Sequence, residues 1–153
     1  MARVEFDIET VLSPERVIGG LTNFSERRPE IWPGIHPSLY EVRNLGTTSA
    51  DVKEGTKAPG MTVWAVEHYD WSVPDTVTWT VRESNFCAPG SSVSTRISPR
   101  PDGGSRIHIT WNRTPVGIKA RLMVAMIKLS GGKPVETSFR RGLDRMLEGE
   151  RRS

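Results

Sequence analysis

The residues best equipped for chemistry stand together in MTVWAVEHYDW, residues 61–71, which holds two Trp, one Tyr, one His and the acids Glu67 and Asp70. An imidazole titrates near neutrality, so His68 is a candidate general acid or base, with Tyr69 as a second group able to move a proton. Adjacent residues of a strand point to opposite faces, so a regular strand offers a cavity either Glu67 or His68. One register turns Trp64, Val66 and His68 inward. The other turns Val63, Ala65, Glu67, Tyr69 and Trp71 inward. The first is expected, because the second buries Glu67 without an evident partner, which is costly. Tyr69 could still reach the inner side through a bulge at the strand end. Glu67 inward would strengthen the case for catalysis.

Other chemistry is absent from the sequence. There is no G-x-S-x-G elbow, no P-loop and no G-x-G-x-x-G fingerprint. No C-x-x-C or H-E-x-x-H spacing occurs, and His36, His68 and His108 are scattered, so no metal and no cofactor is expected. Cys87 follows Phe86 in a loop before Pro89–Gly90 and reads as a plain thiol. A lone cysteine excludes an internal disulfide and suits a reducing compartment. The start, MARVEFDIE, has none of the character of a secretory signal, so a cytoplasmic protein is expected. No run approaches the roughly 20 apolar residues of a membrane span, so no integral membrane association is expected.

The net charge of +3 is uneven: from Arg113 onward there are ten basic and four acidic residues. Those cations are spread out and lack interleaved aromatics, which argues against nucleic acid as a partner. They read as the solvated face of a helix, with anionic lipid or a protein partner as the alternatives.

Elements must position these groups. VEFDIETVL, residues 4–12, alternates Val4, Phe6 and Ile8 with Glu5, Asp7 and Glu9, the pattern of a half-buried antiparallel strand. Ser13 then caps a helix with Pro14 in its first turn, Glu15 complementing its dipole, and Val17, Leu21 and Phe24 at helical spacing. Gly19–Gly20 weakens that helix by about 1 kcal/mol per glycine relative to alanine, which a close approach from another element would explain. SERRPEIWPGI predicts a second short helix from Pro29 to Pro33–Gly34. Six strand-like runs follow at 39–45, 49–55, 61–69, 75–83, 91–98 and 105–112, with EGTKAPG, SVP and RPDGGS as loops and turns. The end is helical. Ile118, Leu122, Met126 and Leu129 share one stripe, SGGKP (130–134) interrupts, and Val135, Phe139, Leu143 and Leu147 share another, with Arg140, Arg141 and Arg145 off it. This is an α+β chain: a seven-stranded curved antiparallel sheet over a long interrupted C-terminal helix, as one domain over 1–150 with a basic tail at 151–153. One helix cannot fill the concavity of so wide a twisted sheet, so a space is expected between them.

PERV opening the first helix, PEIWPG closing the second, the strand–turn–strand EHYDWSVPDTVTWTV and the hairpin PDGGSRIHITWN together resemble the START-like (SRPBCC) superfamily, and within it the polyketide cyclase/dehydrase-like branch. The resemblance spans about residues 3–149. It implies a helix-grip fold and a deep cavity for a hydrophobic small molecule: a lipid, a polyketide or an aromatic compound. Binding or transport of such a ligand is the first expectation, and a polyketide cyclase/aromatase acting in the same cavity is the rival. A homodimer stays open beside a monomer.

Strand alternation turns Val77, Trp79 and Val81 inward, with Val93, Thr95 and Ile97, and Ile107, Ile109 and Trp111. The expected ligand wall is therefore Trp32, Trp64, Val66, His68, Tyr69, Trp79, Thr95, Ile109, Trp111 and Met126. Trp64, Trp79 and Trp111 could stack on a ligand or simply fill the core. Trp32 could gate the mouth or staple a helix turn, and Met123 and Met126 could serve as a flexible lid or as core. His108 is expected to face solvent.

Overall fold

The alternation at the start of the chain is realised as strand β1 (Ala2–Thr10), with Val4 and Ile8 buried and Glu5, Asp7 and Glu9 exposed, in a computed structural model that describes residues 2–152, with side chains to Glu150. Helix α1 (Pro14–Leu21) begins where Ser13 Oγ accepts from the Arg16 N–H at 3.3 Å. The second short helix is α2 (Arg28–Ile31), and a single 3-10 turn at Pro37–Leu39 precedes the main sheet. Strands β2 (Glu41–Leu45), β3 (Ser49–Ala58), β4 (Met61–Asp70), β5 (Thr76–Ser84), β6 (Ser92–Pro99) and β7 (Ser105–Arg113) run as an antiparallel meander. β1 returns to pair with β7, with Val4 opposite Trp111 and Ile8 opposite Ile107, giving the order β1-β7-β6-β5-β4-β3-β2.

Two expectations change. EGTKAPG is not a loop: β3 continues through Thr56 and Lys57, paired with Val63 and Thr62, and only Pro59–Gly60 makes the turn. Gly60 supplies the positive φ (71°) that so tight a hairpin needs. The second change concerns the C-terminal helices, α3 (Ile118–Leu129) and α4 (Lys133–Arg152), parted at Gly131–Gly132, both with positive φ. The stripe Ile118, Leu122, Met126 and Leu129 faces solvent, not the sheet. Ala120 and Val124 face inward, with Ile127 half-buried. The connection runs so close to β1 that a Cβ on Gly132 would stand 2.5 Å from Val4 Cγ1, and a helix held that near the edge strand seats its small side chains.

In α4 the expected stripe does face the core, with Phe139 and Leu143 buried and Val135 and Leu147 partly so. The basic tail expected at 151–153 lies outside the residues whose side chains are described. Of the two central glycines of α1, Gly20 meets Met146 of α4, whereas Gly19 meets nothing. Helix α1 lies on β5 and β6, so the inner face there, including Val77, Thr95 and Ile97, is packed solid.

Candidate functional site

Past the C-terminal end of α1, where Leu21 still borders it, the inner face of the sheet is not filled. A cavity of about 330 Å³ opens there, between α4, the segment around Trp32, and the ends of β3, β4, β5 and β7. Its walls include Trp32, Trp79, Phe86, Trp111 and Phe139, and also Glu54, Glu67, Tyr69, Arg28 and Arg113.

The register of β4 decides this composition. Glu67 stands opposite Val52 and Val81, and Tyr69 opposite Ala50 and Trp79, all inner-face residues. His68 stands opposite Asp51 and Thr80, and its Nδ1 lies 2.8 Å from Asp51 Oδ1 on the outer face. The expectation of Trp64, Val66 and His68 inward is therefore reversed. It failed because Glu67 does have a partner: Arg113 Nη1 lies 2.9 Å from Glu67 Oε1. The ladder slips between Val66 and Glu67, where Arg82 of β5 is left over, so the irregularity sits beside the strand centre and not at its end.

A second buried pair borders the same cavity. Arg28 Nε donates to Glu54 Oε2 at 2.7 Å, and Nη1 donates to the carbonyls of Leu21 and Asn23, both at 2.9 Å. Nη2 reaches the Tyr69 hydroxyl at 3.3 Å, and that hydroxyl donates to Glu54 Oε1. The guanidinium also sits over the Phe24 ring, 4.4 Å from its centroid. Burial alone would pull the Arg28 guanidinium down, but Glu54 and Tyr69 outweigh it and hold it above its ordinary value.

Burial pushes the Glu67 carboxyl above its ordinary value; Arg113 opposes this without cancelling it, and the charge of Glu54 adds to it. Burial raises the Tyr69 phenol well above its ordinary value, and Glu54 raises it further. Tyr69 thus stays a protonated hydrogen-bond donor, and Glu67 is a carboxyl that takes a proton more readily than an exposed one. Cys87 borders the same space, its thiol also pushed up by burial.

The apolar wall is a chain of rings. Tyr69 stacks on Trp79 (centroids 5.3 Å apart), Trp79 on Phe139 (6.1 Å), and Phe139 meets Trp32 edge-on (6.0 Å). Trp32 Nε1 donates to Gly20 O at 3.0 Å, which fixes that ring against α1.

Of the expected wall residues, Trp32, Trp64, Tyr69, Trp79 and Trp111 border the cavity. Trp64 does so from a strand position whose ring is turned outward under Lys53 Nζ, 5.0 Å from its centroid. The other five lie elsewhere. Val66 and His68 are on the outer face of β4, Thr95 and Ile109 are fully buried in the packed half, with Thr95 Oγ1 donating to Val77 O at 2.9 Å, and Met126 is exposed on α3. His108 is on the outer face as expected, held to Asp7 at 2.9 Å. The sequence reading missed Arg28, Glu54 and Arg113. Two of them had a signal: one more step of alternation beyond Trp111 turns Arg113 inward, and one beyond Val52 does the same for Glu54. Nothing in the sequence separates Arg28 from Arg27.

Among the described residues no cluster of His, Cys, Asp and Glu has the arrangement of a metal site, and no helix is long and apolar enough to cross a membrane. No curated protein matches the sequence. Solved structures do match the fold. TTHA0849 from Thermus thermophilus is 17% identical with a TM-score of 0.77, the match covering 96% of this chain and 98% of that one. The Zhui aromatase/cyclase from Streptomyces sp. R1128 is 16% identical with a TM-score of 0.75, covering 98% and 94%. A START superfamily protein from Mycobacterium smegmatis is 13% identical with a TM-score of 0.71, covering 98% and 97%. At these identities the likeness is one of fold. The sequence itself matches, over residues 1–148, the family described as polyketide cyclase / dehydrase and lipid transport, and the chain belongs to that family.

Proposed function

We propose that the cavity binds one compact hydrophobic molecule of aromatic character that carries hydroxyl or carbonyl groups. The observation behind this reading is a single wall that joins stacked rings, Tyr69, Trp79 and Phe139, to two inward-facing ion pairs, Arg28–Glu54 and Arg113–Glu67. A volume of about 330 Å³ is at the lower end of the roughly 300–1,000 Å³ of small-molecule sites, and suits a few fused rings better than a two-chain lipid. Each charge is already compensated, so the site favours neutral polar groups over a bare ion. Trp32, Tyr69, Trp79 and Trp111 are the ligand-facing residues in this reading, while Trp64, its ring turned outward, only borders the space. The test is extraction of the protein purified from its own host, followed by mass spectrometry. A co-purifying oxygenated aromatic compound is expected; a saturated acyl chain in the cavity would overturn the proposal.

One observation favours the rival reading, a cyclase or aromatase. Glu67, with its raised carboxyl, and the protonated Tyr69 face the same space, so Glu67 could take a proton while the Tyr69 O–H, turned away from Glu54, donates to a carbonyl. The fold neighbour from Streptomyces is itself an aromatase/cyclase. His68 has no part in this reading, since it lies on the outer face. Glu67→Gln and Tyr69→Phe with an unchanged product profile in the host would remove catalysis and leave binding.

A further inference from the structure

Helix α3 is apolar on two opposite faces. Ala120 and Val124 are buried against the body of the protein, with Ile127 half-buried beside them. At 100° per residue, Ile118, Leu122, Met126 and Leu129 fall on the far side, and they are 76%, 63%, 69% and 89% exposed. Scattered exposed apolar residues need no explanation, but a continuous stripe on a surface helix does. A helix that is apolar all round is normally covered on both sides.

The borders of the stripe say what covers it. Lys119 lies along one edge, Arg121 and Lys128 lie along the other, and α3 holds no acidic residue. A second copy of the chain docked stripe to stripe about a two-fold axis would bring these cations against their own counterparts, which repel. An anionic lipid surface has no such conflict. The apolar stripe enters the boundary between headgroups and acyl chains while the flanking cations reach the lipid phosphates. We propose that α3 docks the protein on an anionic membrane surface, with Ile118, Leu122, Met126 and Leu129 inserted and Lys119, Arg121 and Lys128 at headgroup level.

The position suits a protein with a cavity. Val116, itself half exposed, precedes the helix, and its N–H donates to Phe86 O at 2.8 Å, while Pro115 bridges to Cys87. Phe86 and Cys87 are cavity-lining residues, so the segment that leads into the docked helix is tied to the cavity wall. The docking itself stands on the surface of α3 and does not depend on what the cavity holds.

The experiment is flotation of the full chain with vesicles of phosphatidylcholine alone and of phosphatidylcholine mixed with phosphatidylglycerol. Binding to the mixed vesicles only, and release by raised salt, are expected. Replacing Lys119, Arg121 and Lys128 together by Gln is expected to weaken binding about a hundredfold, at roughly fivefold per cation. Leu122→Ser with Met126→Ser is expected to abolish it, and Leu129→Ser alone to weaken it if the double variant folds poorly. All these side chains are exposed, so thermal midpoint and circular dichroism should hold. Failure of the wild type to float at low salt overturns the proposal. So does undiminished binding by the Gln and Ser variants. A wild-type dimer that Leu122→Ser with Met126→Ser converts to monomer would assign the stripe to a second copy instead.

Discussion

Arg113 is the residue on which the polar end of the cavity turns. It reaches Glu67 from β7; Glu67 is buried, and the Arg113 side chain is only 13% exposed. Breaking a buried pair from one side leaves the other charge uncompensated and typically costs about 3–5 kcal/mol, whereas replacing both partners by apolar residues is often neutral. Arg113→Ala is therefore expected to lose about that much stability at neutral pH, and Arg113→Met combined with Glu67→Leu far less. The sign of the pH dependence follows from Glu67. Its folded pKa lies above the ordinary 4.5, so the folded state binds its proton more tightly than the unfolded state. That contribution is fully present below 4.5 and is lost as pH rises through the folded value. Arg113→Ala raises the folded value further, so its deficit against the wild type should be small in acid and grow toward neutrality. Urea denaturation at several pH values measures this, and a deficit that stays flat with pH would rule out the ion pair as its cause. The pair was half legible in the sequence. Glu67 looked unpartnered because its partner is 46 residues away, and only the alternation Ile107, Ile109, Trp111, Arg113 connects them.

At the scale of elements, periodicity was a good guide wherever the large apolar residues of a strand all fell on one face. That holds for β1, β5, β6 and β7, whose buried residues are those the pattern places inward. It was a poor guide where both faces are apolar. In β4 Trp64 and Val66 compete with Val63 and Ala65, and in α3 the larger side chains form the outer stripe while Ala120 and Val124 face in. Size of side chain does not say which face meets the body when a helix is held close to an edge strand. Glycines separate helix propensity from packing. Gly19 of α1 has open space at its Cβ position, so Gly19→Ala should stabilise by up to about 1 kcal/mol. Gly142 of α4 faces the Trp32 indole, which is pinned by its bond to Gly20 O. Gly142→Ala should instead destabilise, by about 1–3 kcal/mol of overpacking, and shift the Trp32 fluorescence. Equal effects of the two substitutions would mean that α4 does not rest on Trp32.

At the scale of the whole molecule, the inner face of the sheet is divided between a half that α1 packs solid and a half left open under α4. A ligand that fills the open half binds the folded state alone, so it should raise stability by about 2.7 kcal/mol when present at a hundred times its dissociation constant. For a domain of this size that is an upward shift of about 5–10 °C in the thermal midpoint. Chemistry decides which ligand does so. 2-Naphthol and naphthalene offer the ring chain of Tyr69, Trp79 and Phe139 nearly the same surface, but only the first has a hydroxyl for the Glu67–Arg113 or Arg28–Glu54 pairs. A hydrogen bond to a charged group contributes about 1.5–3 kcal/mol, so naphthalene should bind at least about tenfold more weakly. In Arg113→Met combined with Glu67→Leu that preference should shrink, because one of the two polar anchors is gone while the rings remain. Titration calorimetry on the two proteins with the two compounds reads all four affinities. If the hydroxyl gains nothing in the wild type, the cavity selects by shape and apolar surface alone, and its ion pairs serve some purpose other than recognition.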